Sequence, residues 1–446
     1  MSMQDAVKEA GNRISRSATV KLFVISMLAL VLLIPACMVK SMITEREMRR
    51  DEALADINAK WGRQQTIIGP AISIPYKRYI EGENGKRIVT TDYLHLLPDE
   101  VDIRSELTPE VRYRGIFESV LYRSKIVIRC RFPRVPLDDL RIRSEDVLWS
   151  GAAIWIGLSD MRGITEDIQV DHGGEPVQMA PGIESQGATM AGVSGAIGFD
   201  PIQPAHTFTF LLHLNGSQEL YFTPVGKITT VEAHAPWKDP SFVGDFLPVA
   251  RDIRDQEFSA KWRVLHLNRN YPQFWTGAAH NLACTSFGVK LFSPVDVYQK
   301  SMRTAKYALL FIAFTFYAFF LAEILNRLRV HPVQYLLIGF AMIVFYTLLL
   351  SISEHLPFGP AYLISAAGVT GLITGYAKSI LKHPSVTRMV GALLVVLYGY
   401  LYILLQLEDY ALLMGSVGLF AVLAAIMYLT RKINWYAIHE GRAACS

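Results

Sequence analysis

The sequence predicts an α+β membrane protein: six transmembrane helices, with a large all-β extracytoplasmic domain inserted between helix 1 and helix 2. Three observations predict it. The composition is too apolar for a soluble chain of this size, with 51% hydrophobic and 19% charged residues among 446 and a mean hydropathy of +0.25. Mostly apolar runs of spanning length occur once near the N-terminus and five times after residue 300. Between them, β-branched and aromatic residues alternate with polar ones, punctuated by Gly, Pro and Asn-Gly.

A spanning helix needs roughly 20 mostly apolar residues. Leu22 to Val39 carries no charge and is bounded by Lys21 and Lys40, which gives a first helix over 22–43 after an N-tail of 1–21. It is longer than the apolar core of a signal peptide and reads as an uncleaved anchor. IPAC at 34–37 is a poor lipidation box for Cys37, because Pro35 stands where a small or aliphatic residue is expected. TEREMRRDEALADINAK at 44–60 keeps Met48, Leu54, Ala55 and Ile57 near helical spacing, so the helix is expected to continue outward. The later spans are read at 307–325, 333–352, 358–377, 389–407 and 410–429.

Loop charge orients them. Arg327 and Arg329, then Lys378, Lys382 and Arg388, then Arg431 and Lys432 mark one side; Glu354 and Glu408-Asp409 mark the other. The alternation places both termini in the cytoplasm, a five-helix bundle at 304–430 and a C-tail at 431–446. Residues 44–303 then lie outside. Their basic flanks depart from the rule, which long translocated domains tolerate.

Within the outer domain AISIPYKRY, KIVIRCRF, DLRIRSEDVLW, HTFTFLLHL and KITTVEAH read as strands, with ENGK at 83–86 and LNGS at 214–217 as hairpin turns. The order of turns and strands near Asn84-Gly85 echoes that near Asn215-Gly216. The echo allows two duplicated β units, about 61–172 and 200–300, joined by the Gly-rich stretch 173–199.

No nucleophile elbow, phosphate loop, HExxH, EF-hand or dinucleotide fingerprint appears, so no catalytic, cofactor or metal residue is assigned. GVSGAIG at 192–198 fits no phosphate motif. His206 and His213 could share a sheet face, yet a plain strand explains HTFTFLLH better than a metal site. Cys130 and Cys284 would share a compartment, and sequence alone leaves a disulfide between them open. Lys and Arg lie scattered among acids, which argues against nucleic acid as a partner. The spans lack charge at mid-depth, which argues against an ion-coupled pump. Glu323, four residues before Arg327, reads as a helix-end pair.

Glu354-His355 and Glu408-Asp409 close helices on the same outer side. They form the candidate polar cluster, and they could dock the basic flank at Arg303 and Lys306 by partly buried ion pairs. Gly368, Gly371 and Gly375 of GVTGLITG offer a face for close helix packing.

WGRQQTIIGPAISIPY at 61–76, SFGVKLFSPVDVYQKSMRTAKYALLFIAFTF at 286–316, HPVQYLLIGFAMIVFYTLLLSISEH at 331–355 and LYILLQLEDYALLMGSVGLFAVLAAIMYLTRKINWY at 401–436 resemble the CreD family of bacterial inner-membrane proteins. The resemblance covers nearly the whole chain. It implies an inner-membrane location, a periplasmic outer domain and a link to envelope integrity and stress response. It brings no reaction, cofactor or catalytic residue. The leading expectation is a non-enzymatic protein whose β-domain engages envelope proteins, glycan or lipid, with the bilayer as its other partner. A transporter or channel subunit, or an envelope-modifying enzyme with an acidic site at the outer interface, are the alternatives.

Overall fold

The structure, a computed structural model, describes residues 18–81, 87–183, 191–277, 280–291, 297–326, 330–407 and 410–431. They form two compact units, one helical (residues 1–49 and 295–446) and one strand-rich (Arg50–Pro294).

The described part of the helical unit opens with α1 (Ala18–Val31) and the first half of α2 (Leu33–Trp61), whose last turns belong to the strand-rich unit; the two helices are interrupted at Leu32. Pro35 explains the break: lacking an N–H, it leaves the carbonyl four residues earlier, that of Val31, without a helical partner. Bonds from Leu32 N–H to Leu28 O and from Ala36 N–H to Leu32 O carry the helix across. Then come α3 (Val297–Lys306), α4 (Ala308–Leu325), α5 (Pro332–Ser353), α6 (Phe358–Leu381), α7 (Pro384–Gln406) and α8 (Ala411–Thr430). Proline at N1 starts α5 and α7, where a missing N–H costs nothing.

Among the described residues four helices are long and apolar enough to cross a membrane, and α3 with α4, bent by 44°, makes a fifth if the pair is counted as one span. The described apolar stretch of α8, Leu413–Ala424, is shorter than a span. Six spans were expected; the described residues give four or five. The helical unit also begins earlier than the expected 304. VYQKSMRTAK forms the amphipathic α3, burying Tyr298, Ser301, Thr304 and Ala305.

Close helix approach occurs at glycines other than those singled out in the sequence. A Cβ on Gly339 would strike the Leu32 side chain, and one on Gly391 would press on Thr374 at 3.1 Å. Gly368, Gly371 and Gly375 have no heavy atom within 4 Å of such a Cβ. Their face is open among the described residues.

The strand-rich unit is a sandwich of two sheets. The first runs in the order β13 (Pro240–Gly244), β17 (Phe287–Leu291), β11 (Glu219–Phe222), β1 (Gln65–Glu81), β5 (Ala153–Leu158), β9 (Gly192–Ala196), β8 (Ala180–Pro181). Off this path, β2 (Arg87–Leu96) pairs with β1, and β16 (Phe274–Thr276) with β2. The second runs in the order β14 (Ala250–Ile253), β15 (Phe258–Leu265), β12 (Ile228–Ala235), β3 (Glu100–Arg114), β4 (Phe117–Pro133), β10 (Ala205–Ser217), β6 (Gln169–His172), β7 (Glu175–Val177). Pairing is antiparallel except at β1–β11 and β3–β12. The inner faces share one core. Trp262 of the second sheet lies 5.7 Å, ring to ring, from both Phe242 and Phe287 of the first. Alternation sets this up: along β15, Phe258, Ala260, Trp262 and Val264 are buried, whereas Ser259, Lys261, Arg263 and Leu265 are exposed.

Both sheets draw strands from both sequence halves, 61–172 and 200–300. Several local expectations change with the sheets in view. Asn215-Gly216 is not a turn; it lies within β10, and the chain turns at Gln218, with φ 61°. Gly216 sits opposite Tyr122 in the ladder, and a Cβ there would strike the Tyr122 ring. ENGK lies outside the described residues, beyond the last β1–β2 pair, Glu81 with Arg87. DLRIRSEDVLW is helical turns rather than strand, with Arg141 in the left-handed region. The Gly-rich stretch is not a plain linker, because it holds the interior strand β9. A Cβ on Gly195 would come within 2.6 Å of Gln178 O, so close backbone approach selects glycine there.

Candidate functional site

Glu354 closes α5, and its Oε1 accepts from the Tyr298 hydroxyl at 3.2 Å, with Arg46 Nε at 3.8 Å. His355 and Lys306 are exposed and Arg303 half-buried. Glu408 and Asp409 lie outside the described residues. The described partners of Glu354 are on α2 and α3, and the expected docking of Glu408 and Asp409 on Arg303 and Lys306 falls on acids outside the described residues. Arg303 and Lys306 belong to α3, within the helical unit rather than the β-domain.

At the other end of the bundle Glu323 is buried. It pairs with Lys21 of α1 and accepts from Val330 N–H and the Tyr335 hydroxyl, each at 3.2 Å. Lys21 also donates to Val330 O at 2.8 Å. The expected partner Arg327 lies outside the described residues.

In the strand-rich unit the last turns of α2 are tied to the β3–β4 hairpin. Ser119 donates to Asn58 at 2.7 Å, and Arg114 pairs with Asp56. Trp61 Nε1 donates to Tyr122 O at 3.3 Å. The guanidinium groups of Arg112 and Arg123 lie 4.6 and 5.4 Å from its ring centre. Gly62 follows at φ 145°, and Arg63 N–H donates to Asp160 at 3.0 Å. Burial pushes the Asp160 carboxyl up, but two bonds from the Arg162 side chain and two backbone N–H bonds outweigh it and hold it below its ordinary range.

The seven-residue gap between His206 and His213 places them on opposite faces of β10, because strand side chains alternate. His206 is buried, 3.1 Å from His172 across the ladder, and its Nε2 donates to Asp200 O at 3.0 Å. Its Nδ1 must then accept from His172 Nε2–H. Burial, and then His206, lower the His172 pKa. His213 points outward and meets Glu166 at 3.0 Å. Among the described residues no group of three or more His, Cys, Asp or Glu could hold a metal. Cys130 and Cys284 are both free thiols, the first buried in β4 and the second exposed.

The outward face of the second sheet was not singled out from sequence, yet it gathers the most chemistry. Register puts Glu100, Asp102, Arg104 and Glu106 of β3 beside Arg131, Arg129, Val127 and Lys125 of β4. Thr207, Thr209, Leu211 and His213 of β10 stand opposite those same β4 residues. Thr108, Arg123 and Asn215 make the last row, walled by Trp61. Two cavities open on this face. One of about 540 Å³ lies between Trp61 and His213; one of about 440 Å³ lies between Ile228 and Thr207. Arg131 pairs with Glu100 at 2.9 Å, whereas Lys125 and Arg129 have no ion-pair partner among the described residues. The sequence signal was the alternation in RSKIVIRCR, which puts Arg123, Lys125, Arg129 and Arg131 on one face.

The family model described as Inner membrane protein CreD matches residues 17–436. The Inner membrane protein CreD of Escherichia coli (strain K12) is 31% identical over 415 residues, covering 92% of this chain and 91% of that protein. Two solved structures of an M1 zinc metallopeptidase from Deinococcus radiodurans align weakly. The first has 10% identity, covers 44% of this chain and 42% of that one, and has a TM-score of 0.22. The second, an E323A mutant bound to a Tyr-ser-ala substrate, has 11% identity, covers 38% and 39%, and has a TM-score of 0.19.

Proposed function

The chain belongs to the CreD family of inner membrane proteins, and from that premise we propose that it is a non-enzymatic receptor of the cell envelope. In this reading six helices span the membrane, counting α8, and the β-domain stands between helix 1 and helix 2 on the periplasmic side. The domain engages envelope components, and the bundle anchors it and couples it to the membrane. Alternating loop charge supports the orientation, with Lys378, Lys382 and Arg388 on one side and Glu354 with Glu408-Asp409 on the other. The observation that carries the reading is the exposed, charged face of the second sheet with its two open cavities.

Transport is the reading that the 44° bend between α3 and α4 would favour. The bend lies beside Lys300, Arg303 and Lys306, where an amphipathic helix resting at the interface explains it. An envelope-modifying enzyme would need converging free carboxylates at the outer helix ends, and the Glu354 carboxylate is engaged by Tyr298 and Arg46.

The test is in-cell photo-crosslinking from a probe residue at Thr209 or Thr230, with Val89 on the first sheet as control. One dominant adduct from the first two positions and none from Val89 is expected. Equal capture from all three, or none, would remove the receptor reading.

A further inference from the structure

We propose that the outward face of the second sheet binds a linear acidic glycan along β4. The inference rests on the receptor reading above and names its ligand class.

Arg123 to Arg131 spans eight residue-to-residue steps of extended strand, about 27 Å. The cavities lie at the two ends of that run, and both are floored by β3, β4 and β10. The furrow is the strip joining these two cavities, and the β4 cations form a column one side chain wide along it, with Arg104 of β3 beside its middle. A single chain bearing carboxylates or phosphates at intervals matches it, with Lys125 and Arg129 as the cations open to a new partner.

Polar neighbours favour a sugar over other polyanions. Thr207 and Thr209 flank the column on one side, and Asp102 and Glu106 on the other. Hydroxyls both donate and accept, and carboxylates accept, so together they suit sugar hydroxyls. At the waist Val127 and Leu211 stand side by side, an apolar step for the C–H face of a sugar ring. A uniformly anionic lipid surface would be repelled by the acids of β3. An acidic peptide in extended form would add to a sheet edge by backbone pairing, but β3 and β4 are interior strands whose ladders are already paired on both sides.

The experiment uses the full chain in nanodiscs of neutral lipid. Binding is measured to a linear oligogalacturonate long enough to span the furrow, to a neutral glucan of the same length, to polyglutamate, and to phosphatidylglycerol vesicles. The uronate is expected to bind, to weaken with salt, and to outcompete the other three. Lys125→Glu with Arg129→Glu should weaken it about tenfold or more, the scale of losing charge-assisted hydrogen bonds. Arg263→Glu, on the same face but two strands beyond β3, should change it less than about twofold. Both variants exchange exposed side chains, and unchanged thermal unfolding verifies the fold. No uronate binding, binding indifferent to the double reversal, or stronger binding of vesicles or polyglutamate through the same residues would overturn the proposal. Crosslinking that still mapped to Thr209 would then leave the receptor reading standing with a different ligand.

Discussion

Lys21 of the first helix holds the buried carboxylate of Glu323, 302 residues later in the chain. Glu323 also takes the Tyr335 hydroxyl and the Val330 N–H, so one acid fastens α1 to the turn between α4 and α5. Removing one partner strands a charge with little water to replace it. Lys21→Met alone should therefore cost about 3 kcal/mol, and Lys21→Met with Glu323→Leu markedly less. Thermal unfolding in detergent of the two single variants and the double variant checks this; additive losses would contradict it.

Gly62 at φ 145° marks where α2 enters the sandwich. A Cβ there would lie 2.6 Å from Asn215 O. Gly62→Ala should destabilise the β-domain by about 1–3 kcal/mol through strain and crowding. Gly115, at φ 62° in the β3–β4 turn, has open space around it, so Gly115→Asn should cost under about 1 kcal/mol. Urea unfolding followed by tryptophan fluorescence separates the two.

The two cysteines of the strand-rich unit should differ in reactivity. Burial pushes the Cys130 thiol well up, whereas Cys284 is exposed. In the native protein a maleimide should label Cys284 and spare Cys130, with no mass loss from a disulfide. Denaturant should open Cys130. Mass spectrometry of labelled peptides reads both.

Acid should weaken the β-domain. His172 and His95 have folded-state pKa values lowered, each chiefly by burial. Their contribution to stability is present above the unfolded value near 6.5 and is lost as pH falls through the lowered folded values. Melting temperature should fall as pH drops below about 6.5. His172→Gln keeps an N–H for His206 Nδ1 and should flatten that slope without shifting the neutral-pH value greatly. An unchanged slope would contradict the assignment.

Much of the architecture could be read from the chain. Mostly apolar runs located the helices because the bilayer demands length and apolarity together. Alternation located β4, β10 and β12 because each has one face in the core. Glycine misled where it serves closeness rather than turning, as at Gly195 and Gly216. The partner of Glu323 was invisible because Lys21 is distant in sequence and the acid had a nearer basic residue at helical spacing. The charged face was partly legible: the cations of RSKIVIRCR alternate visibly, but their row-by-row neighbours on β3 and β10 depend on register. Glu354 was singled out correctly as a helix-end acid, though its described partners, Tyr298 and Arg46, come from two other helices.

On the proposed reading β4 and its neighbours form the working surface through which the protein supports the envelope, so cells lacking the gene should be sensitive to envelope stress. The most direct measurement is complementation of envelope-stress sensitivity, in cells lacking the gene, by a chain carrying Arg123→Glu, Lys125→Glu and Arg129→Glu. The triple variant should accumulate in the membrane and unfold like the unmodified chain, yet leave the cells as sensitive as the null strain. Full rescue by that triple variant would contradict the reading.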